Sequence, residues 1–257
     1  MDEINDKCFL SEIFSAIQGE GSLVGVRQLF VRFSACDLRC EWCDTPDSLL
    51  RTKYCDVEET PGIRKFHKII NPIEKIQLLN ILRELNPSFH HSISLTGGEP
   101  LLQWKFLSAF LPVVKEQISL PIYLESGGHR PDELDKIVDL IDYISMDFKL
   151  PTSANVGILW DEHLKFLNIS LQANKKVWVK IVVTAKTSFD DLLTSIDVLQ
   201  SVKPGYEPID VFLQPVTSVN EITPPNETEL LFLQERLIRH YPKIRVLPQV
   251  HKLIGQK

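Results

Sequence analysis

The sequence contains no apolar run of the roughly 18 residues that a membrane-spanning helix requires. Its N-terminus, MDEINDKCFL, is acidic where a secretory signal would be basic, so neither a membrane span nor a leader is predicted. Excess basic charge is also missing, because 28 Lys and Arg residues stand against 34 Asp and Glu residues, a net charge of -6. Binding through nucleic-acid phosphates favours a basic surface. We therefore expect a small-molecule ligand and no direct contact with nucleic acid or membrane.

Cysteine is scarce too, with five residues in the chain. An odd number with three members clustered is untypical of a disulfide framework and favours a reducing compartment, so a cytoplasmic location is expected. Cys8 and Cys55 have no motif around them and are expected to be ordinary free cysteines. The composition is otherwise that of a globular protein, with 44% hydrophobic and 24% charged residues.

Strand-like and helix-like segments alternate along most of the chain. Strands are predicted at 28–34, 93–98, 121–126, 143–149, 177–183, 210–215 and 243–248. Helices are predicted between them: from Pro72 to Asn86 with Asn71 as its cap, from about Leu101, from about Pro131, near 161–173, near 188–201 and at 226–239. Successive βα units imply a parallel sheet.

Six or seven strands are too few for a closed eight-stranded barrel. An open, partial TIM-like barrel of about six parallel strands is therefore predicted, with a doubly wound sheet as the alternative. The irregular stretch at 46–71 is interpreted as an insertion that forms a loop or a small hairpin. Without repeats or a second core, residues 1–257 are expected to form one domain.

Three cysteines, Cys36, Cys40 and Cys43, lie in the run CDLRCEWCDT at the end of the first predicted strand. A structural zinc site normally takes four protein ligands, whereas an iron-sulfur cubane held by three thiolates leaves one iron free for a ligand. The alternatives are a zinc site completed by Cys55 or His67, and free buried thiols. The spacing favours the cluster, which suggests chemistry at the metal.

Cys-x3-Cys-x2-Cys followed by Thr96-Gly97-Gly98-Glu99-Pro100 at the end of the next strand resembles the motif pair of radical S-adenosylmethionine (SAM) enzymes. The resemblance implies a 4Fe-4S cluster on the three cysteines. The amino and carboxylate groups of SAM would chelate the open iron, and one electron would release a 5'-deoxyadenosyl radical. The alternative for the two glycines is a strand-to-helix turn that only needs positive φ.

Further motifs resemble the 7-carboxy-7-deazaguanine synthase family: SAIQGEGSLVG at 15–25, VRFSAC with Arg32, CDT with Thr45, and RVLPQVHK at 245–252. Together they span nearly the whole chain. The resemblance implies radical conversion of 6-carboxy-5,6,7,8-tetrahydropterin to 7-carboxy-7-deazaguanine with loss of ammonia, on the route to queuosine and related deazapurines. It also implies Mg2+ on Thr45, a homodimer, and an external electron donor such as a flavodoxin.

Two sets of binding residues are expected. The cofactor set is Trp42, Asp44, Gly97, Gly98, Glu99, Ser126, Ser145, Asp147, Lys149 and Gln214. The substrate set is Ile17, Gln18, Gly19, Glu20, Arg32, Thr96, Glu125 and His251. Arg32 suits a carboxylate because its guanidinium is a planar two-point donor, although a nearby acid such as Glu20 could pair with it instead.

Some features depart from the family or leave other functions open. The run SGGHRP at 126–131 is less typical of the family than a Thr-Asn-Gly-like turn, so the exact contact there is not assigned.

A glycyl-radical-enzyme activase shares the cysteine spacing but would not be expected to carry QGEG, Arg32 and LPQ-x-HK. A non-catalytic zinc-binding interaction protein would explain the cysteines and leave TGGEP without a role.

Overall fold

The computed structural model describes residues 6–219 and 221–257. The strands are β1 Lys7–Cys8, β2 Leu10–Ile17, β3 Arg27–Phe33, β4 Tyr54–Glu58, β5 Phe66–Ile70, β6 Ile73–Glu74, β7 Ser92–Gly97, β8 Ile122–Ser126, β9 Tyr143–Asp147, β10 Lys176–Val183, β11 Asp210–Pro215 and β12 Ile244–Val246. The helices are α1 Lys75–Glu84, α2 Trp104–Gln117, α3 Pro131–Asp135, α4 Pro151–Ala154, α5 Trp160–Gln172, α6 Phe189–Gln200, α7 Glu227–Ile238 and α8 Val250–Leu253.

Ten strands form one sheet in the order β12-β11-β10-β9-β8-β7-β3-β2-β4-β5. The seven strands from β12 to β3 pair in parallel, which confirms the predicted succession of βα units. β2 runs antiparallel to β3, and the β4–β5 hairpin extends the sheet beyond β2. The hairpin lies within the predicted insertion at 46–71.

The sheet is curved into an open barrel. Five strand spacings separate β10 from β2, which would be roughly 24 Å in a flat sheet. Lys180 on β10 nevertheless forms an ion pair with Glu20, which follows β2. The gap between the sheet edges is crossed by the C-terminal segment, where Gln256 accepts a hydrogen bond from Arg64 of the β4–β5 turn at 2.7 Å.

Alternation along the parallel strands separates the two faces of this barrel. Outward side chains such as Val31, Leu95 and Ile144 are fully buried in a core that also contains Leu82 of α1 and Phe110 of α2. Their neighbours along each strand face the interior, and towards the C-terminal ends these are mainly polar. The fold therefore gathers the C-terminal ends of six of the seven parallel strands, β3 and β7 to β11, around one interior space.

Two sequence predictions are corrected, and one strand, β2, was not predicted. Helix α1 begins at Lys75 instead of Pro72, because Ile73 and Glu74 pair with β1. Asn71 does not cap that helix, since its amide donates to the carbonyls of Leu10 and Thr52 at 2.7 and 3.0 Å.

No helix in the described part of the chain is long and apolar enough to cross a membrane.

Candidate active site

A cavity of about 750 Å³ opens at the C-terminal ends of the parallel strands. All the residues predicted for the cluster, cofactor, Mg2+ and substrate border this one space. The structure therefore brings together positions as distant in sequence as Ile17 and His251. Their contacts with cofactor and substrate stay predictions.

The three cysteines enter the cavity on the loop that follows β3. Cys36 N donates to Leu49 O at 3.2 Å and Cys43 N to Cys40 O at 3.1 Å, so the loop is folded back on itself. Burial raises the pKa of the Cys36 thiol to about 11 and also raises that of Cys40. Iron would therefore have to displace a proton from these thiols as it binds.

The predicted alternative zinc ligands lie elsewhere. Cys55 lies on β4 with its side chain fully buried in the core, and His67 is exposed on β5. Neither borders the cavity that contains the three clustered cysteines. Among residues 6–219 and 221–257, no three His, Cys, Asp or Glu side chains converge as around a single metal ion.

The Gly97-Gly98-Glu99 turn packs directly on the cysteine loop. Gly97 has φ +114°, and a Cβ there would lie 2.6 Å from Phe33 N; a Cβ at Gly98 would lie 2.8 Å from Ser48 O and closer still to Ala35 O. Side chains at these two positions would collide with the backbone of residues 33–35, so glycine is needed for packing, in addition to any contact with a cofactor. Glu99 accepts hydrogen bonds from the Ser126 hydroxyl at 3.0 Å and from Gly127 N at 2.9 Å.

A buried chain of alternating charges lies across the interior. Lys180 contacts both Glu20 and Asp147, and Asp147 also accepts from Lys149 at 2.7 Å. Burial opposes the charge on Glu20, but the Lys180 ammonium outweighs it and holds the pKa of Glu20 below its usual range. The pKa of Lys180 is raised, because Asp147 and Glu20 together outweigh its burial.

Gln249 of the C-terminal segment links the two ends of the chain. Its amide Nε2 donates to Glu20 at 2.8 Å and to Asp44 at 3.0 Å. Gln214 Nε2 also donates to Glu20, at 3.1 Å.

Next to Gln249, Val250 N donates to Gly19 O at 3.0 Å, and the half-buried His251 packs on Gly19. The carbonyl of Gly19, predicted for the substrate, thus already has one donor.

Glu125 is a further carboxylate that borders the cavity. It accepts from Gln18 and Ser94 at 3.0 Å and from Thr96 at 3.2 Å. Burial and the neighbouring charge of Glu20 raise the pKa of Glu125. The pKa values of Glu20 and Glu125 are therefore shifted in opposite directions, so Glu125 protonates more readily than Glu20.

Arg32 pairs with Glu12, not with Glu20. Its Nε donates to Glu12 Oε2 at 2.9 Å, and the other Glu12 oxygen contacts Lys257. Within residues 6–219 and 221–257 the guanidinium has a hydrogen-bond partner at Nε alone, so its Nη pair is available for a planar acceptor. Glu12 was missed in the sequence because β2 was not predicted, and Lys257 was missed because no local signal marks its contact with Glu12. β2 gives no clear alternating signal, since most of its residues are buried.

Four buried polar atoms at the cavity have no partner within the described residues. They are Trp42 Nε1, His129 Nδ1, Asp147 Oδ1 and Gln214 Oε1. Trp42 also lies under Lys149, whose Nζ is 4.4 Å from its ring centroid. Unsatisfied buried donors and acceptors beside three thiols fit a polar cofactor next to a cluster.

Thr45 places its hydroxyl 3.9 Å from Cys43 Sγ. It is thus beside the cysteine loop, in a position to offer an oxygen ligand. Ser145, buried in the middle of β9, borders the same space.

Comparison with known proteins agrees with this arrangement. Residues 30–199 match the Radical SAM superfamily. The 7-carboxy-7-deazaguanine synthase of Geobacter sulfurreducens is 36% identical over 250 residues, covering 96% of this chain and 97% of that protein. The enzyme of the same name from Methanopyrus kandleri is 33% identical over 247 residues, covering 95% and 92%.

Solved structures show the same fold. QueE from Escherichia coli aligns with a TM-score of 0.58 at 16% identity, covering 95% of this chain and 94% of that one. A radical SAM methyltransferase from Sphaerobacter thermophilus aligns with a TM-score of 0.59 at 11% identity, covering 87% and 66%. The sequence matches carry the finer assignment: the chain belongs to the 7-carboxy-7-deazaguanine synthase family of radical SAM enzymes.

Proposed function

We propose that this chain converts 6-carboxy-5,6,7,8-tetrahydropterin to 7-carboxy-7-deazaguanine with loss of ammonia, the activity that gives its relatives their name. One observation carries the proposal most strongly. The QGEG and LPQ-x-HK segments, at opposite ends of the chain, meet through the hydrogen bond between Gln249 and Glu20. They do so at the wall of the cavity that also contains the three cysteines.

The cofactor side of the cavity is the side of the cysteine loop and the GGEP turn. When bound, the 4Fe-4S cluster and SAM supply a 5'-deoxyadenosyl radical. Cys36, Cys40 and Cys43 would hold the cluster, and the unpartnered atoms of Asp147 and Gln214 are available to a polar cofactor. Ser126 and Glu99 bind each other, so we assign them to the shape of this wall as well as to cofactor contact.

The substrate side is the wall formed by β2, β3 and the 17–20 segment. The free edge of the Arg32 guanidinium would bind the substrate carboxylate by two parallel hydrogen bonds. Gln18 and Glu20 would bind the pyrimidinone edge. Glu125, whose pKa is raised, and Thr96 lie beside them and can exchange hydrogen bonds with the ring.

Finer features of the proposal rest on family resemblance and residue chemistry. Thr45 would give Mg2+ one oxygen ligand. A one-electron donor such as a flavodoxin would reduce the cluster, and the enzyme would work as a homodimer. All five cysteines are free thiols, which fits the proposed cytoplasmic location.

Anaerobic turnover tests the proposal. The protein is reconstituted with iron and sulfide, then incubated with SAM, a reductant, Mg2+ and the carboxypterin. We expect 7-carboxy-7-deazaguanine and ammonia from the wild-type protein, and neither product nor 5'-deoxyadenosine from Cys40→Ala. Formation of 5'-deoxyadenosine without any deazaguanine would contradict the substrate assignment.

The same preparations separate the alternative functions. Tightly bound zinc in place of iron-sulfur absorption, under anaerobic conditions, would support a zinc-binding protein and overturn the radical chemistry. Cofactor cleavage that requires a glycyl-radical enzyme and ignores the pterin would support an activase.

A further inference from the structure

The cysteine loop is tied to the turn after β8 through one carboxylate. Asp37 lies directly after Cys36, and its Oδ1 accepts from His129 Nε2 at 2.8 Å. Its Oδ2 accepts from Arg130 Nε at 3.2 Å and from Arg130 Nη2 at 2.9 Å. His129 and Arg130 belong to the SGGHRP run at 126–131, in which Ser126 alone is assigned a cofactor contact.

The turn that carries these residues is held firmly from two sides. Gly128 has φ +68°, and a Cβ on it would lie 2.8 Å from Met146 Cγ, so the backbone packs closely on β9. From α5, the ring of the fully buried His163 contacts Gly127 O at 3.2 Å. His129 and Arg130 therefore project from a fixed support.

His129 also lies between the two cofactor-binding motifs. Its Nε2 contacts Asp37 of the cysteine loop, and its buried Nδ1 is 3.9 Å from Glu99 Oε2 of the GGEP turn. Nδ1 has no hydrogen-bond partner within the described residues. The imidazole thus spans the distance between the loop that would hold the cluster and the turn that would face SAM.

Charge is the second part of the arrangement. Asp37 adds a negative charge next to a cluster ligand, and Arg130 brings a positive charge into two-point contact with it. Reduction adds one electron to a cluster that three thiolates already make negative. An uncompensated carboxylate next to Cys36 would therefore oppose reduction and lower the potential, partly screened because the Asp37 side chain is 37% exposed.

We infer that His129 and Arg130 are positioning residues for the cluster: both clamp Asp37 and fix the cysteine loop against the GGEP turn, and Arg130 neutralises the charge beside Cys36. The inference requires only that the three cysteines hold a cluster. It does not depend on which substrate the enzyme uses, and its test contains no pterin, so failure of the substrate assignment would not affect the result.

The charge effect is tested by redox titration of the reconstituted proteins, monitored by electron paramagnetic resonance. We expect a lower midpoint potential in Arg130→Gln than in wild type. Arg130→Lys, which keeps the charge, should stay close to wild type. In Asp37→Asn/Arg130→Gln the potential should return towards wild type, because the carboxylate that opposed reduction is gone. Lys165→Gln removes a more exposed ion pair, with Asp132, and should leave the potential unchanged.

Two results would overturn the charge compensation. One is an equal potential in wild type and Arg130→Gln at equal iron content. The other is a double variant whose midpoint potential is as low as that of Arg130→Gln. Loss of the cluster from both Arg130→Gln and the double variant would count against the inference in the same way. If Arg130→Gln alone loses its cluster while the double variant retains it, the unpaired carboxylate is the cause and the inference is supported.

The clamp itself is tested by iron and sulfide content after gel filtration. His129→Ala should retain less cluster than wild type, whereas His129→Gln, which can still donate to Asp37, should retain more than the alanine variant. Equal retention in wild type, His129→Ala and His129→Gln would exclude His129 from the positioning role.

Discussion

Arg32 shows, at the scale of the residue, how one side chain can combine a structural and a binding role. Glu12 accepts from its Nε and so fixes the direction of the guanidinium, while the two Nη groups stay available. The paired acid could not be identified in advance because Glu12 lies on a strand that the sequence pattern did not reveal. Residue type predicted the guanidinium as a carboxylate partner, but only the structure shows what orients it.

Loss of Arg32 should mainly weaken substrate binding. Charge-assisted hydrogen bonds are worth about 1.5–3 kcal/mol, so Arg32→Ala should raise the KM for the carboxypterin roughly tenfold to a hundredfold. Arg32→Lys should have an intermediate KM, because an ammonium lacks the two-point geometry. Steady-state kinetics would measure both, with the exposed Arg83→Ala on α1 as the control. An unchanged KM in Arg32→Ala would refute the carboxylate role.

His163 should make folding stability depend on pH. Burial, only partly offset by the contact with Gly127 O, lowers the pKa of His163 to about 3. An unfolded histidine titrates near about 6.5, so between these values the unfolded chain binds the proton and the folded chain does not. Stability is therefore lost as pH falls below about 6.5, with a slope approaching about 1.4 kcal/mol per pH unit from this group.

Urea unfolding of the cluster-free protein at pH 7.5, 6.5 and 5.5 would measure this dependence. His163→Leu should show a smaller loss of stability over the same interval, whatever its stability at pH 7.5. Equal pH slopes in the two proteins would show that His163 is not the titrating group.

At the scale of the element, the contact between the cysteine loop and the GGEP turn determines the geometry of the site. The two segments are separated by the whole β4–β5 hairpin in sequence, yet Gly98 N donates to Phe33 O and Glu99 N to Ala35 O, both at 2.9 Å. β3 and β7 are neighbours in the sheet, so their C-terminal loops emerge side by side. The motif pair is thus one structural unit.

A methyl group on Gly98 should disrupt that unit. Its Cβ would overlap Ala35 O and lie 2.8 Å from Ser48 O, and such overpacking costs about 1–3 kcal/mol. Gly98→Ala should therefore hold less iron and sulfide after reconstitution. Gly157→Ala is the matched control, because a Cβ there meets nothing within 4 Å. A wild-type cluster content in Gly98→Ala would contradict the close packing described here.

Elements with strong periodicity or strand-forming runs were predictable, and those set by tertiary contacts were not. β7 to β12 and the helices α2, α3, α5, α6 and α7 begin within a few residues of their predicted positions, whereas the short helix α4 was not predicted. The start of α1 was wrong because pairing of Ile73 with Cys8 is a long-range contact with no local signal. β2, LSEIFSAI, is mostly buried on both faces, so it lacks the apolar and polar alternation that marks a half-buried strand.

At the scale of the whole molecule, the contacts that hold the curved sheet together across the barrel interior are also contacts between residues of the site. The Glu20–Lys180 pair joins the segment after β2 to β10, and Gln249 adds the C-terminal segment to it. Family motifs predicted that these segments contribute to the site. The pairing of Glu20 with Lys180 could not be predicted, because it depends on the curvature of the sheet.

Breaking this pair should destabilise the protein. Both side chains are about nine-tenths buried, so Lys180→Met leaves the Glu20 carboxylate buried without its main partner, at a cost of about 3–5 kcal/mol. Glu20→Gln/Lys180→Met should recover part of that loss. Urea unfolding would compare the variants with Lys165→Met, an exposed lysine. Equal stability of Lys180→Met and wild type would contradict the closure described here.

The central claim is that one cavity holds the cluster, SAM and the pterin together. A crystal structure of the reconstituted protein with SAM and the carboxypterin, grown anaerobically, tests it most directly. We predict the cluster on Cys36, Cys40 and Cys43, SAM beside the GGEP turn, and the pterin between Arg32 and residues 17–20 with its carboxylate on the Arg32 guanidinium. A pterin bound outside this cavity, or one whose carboxylate makes no contact with Arg32, would contradict the account.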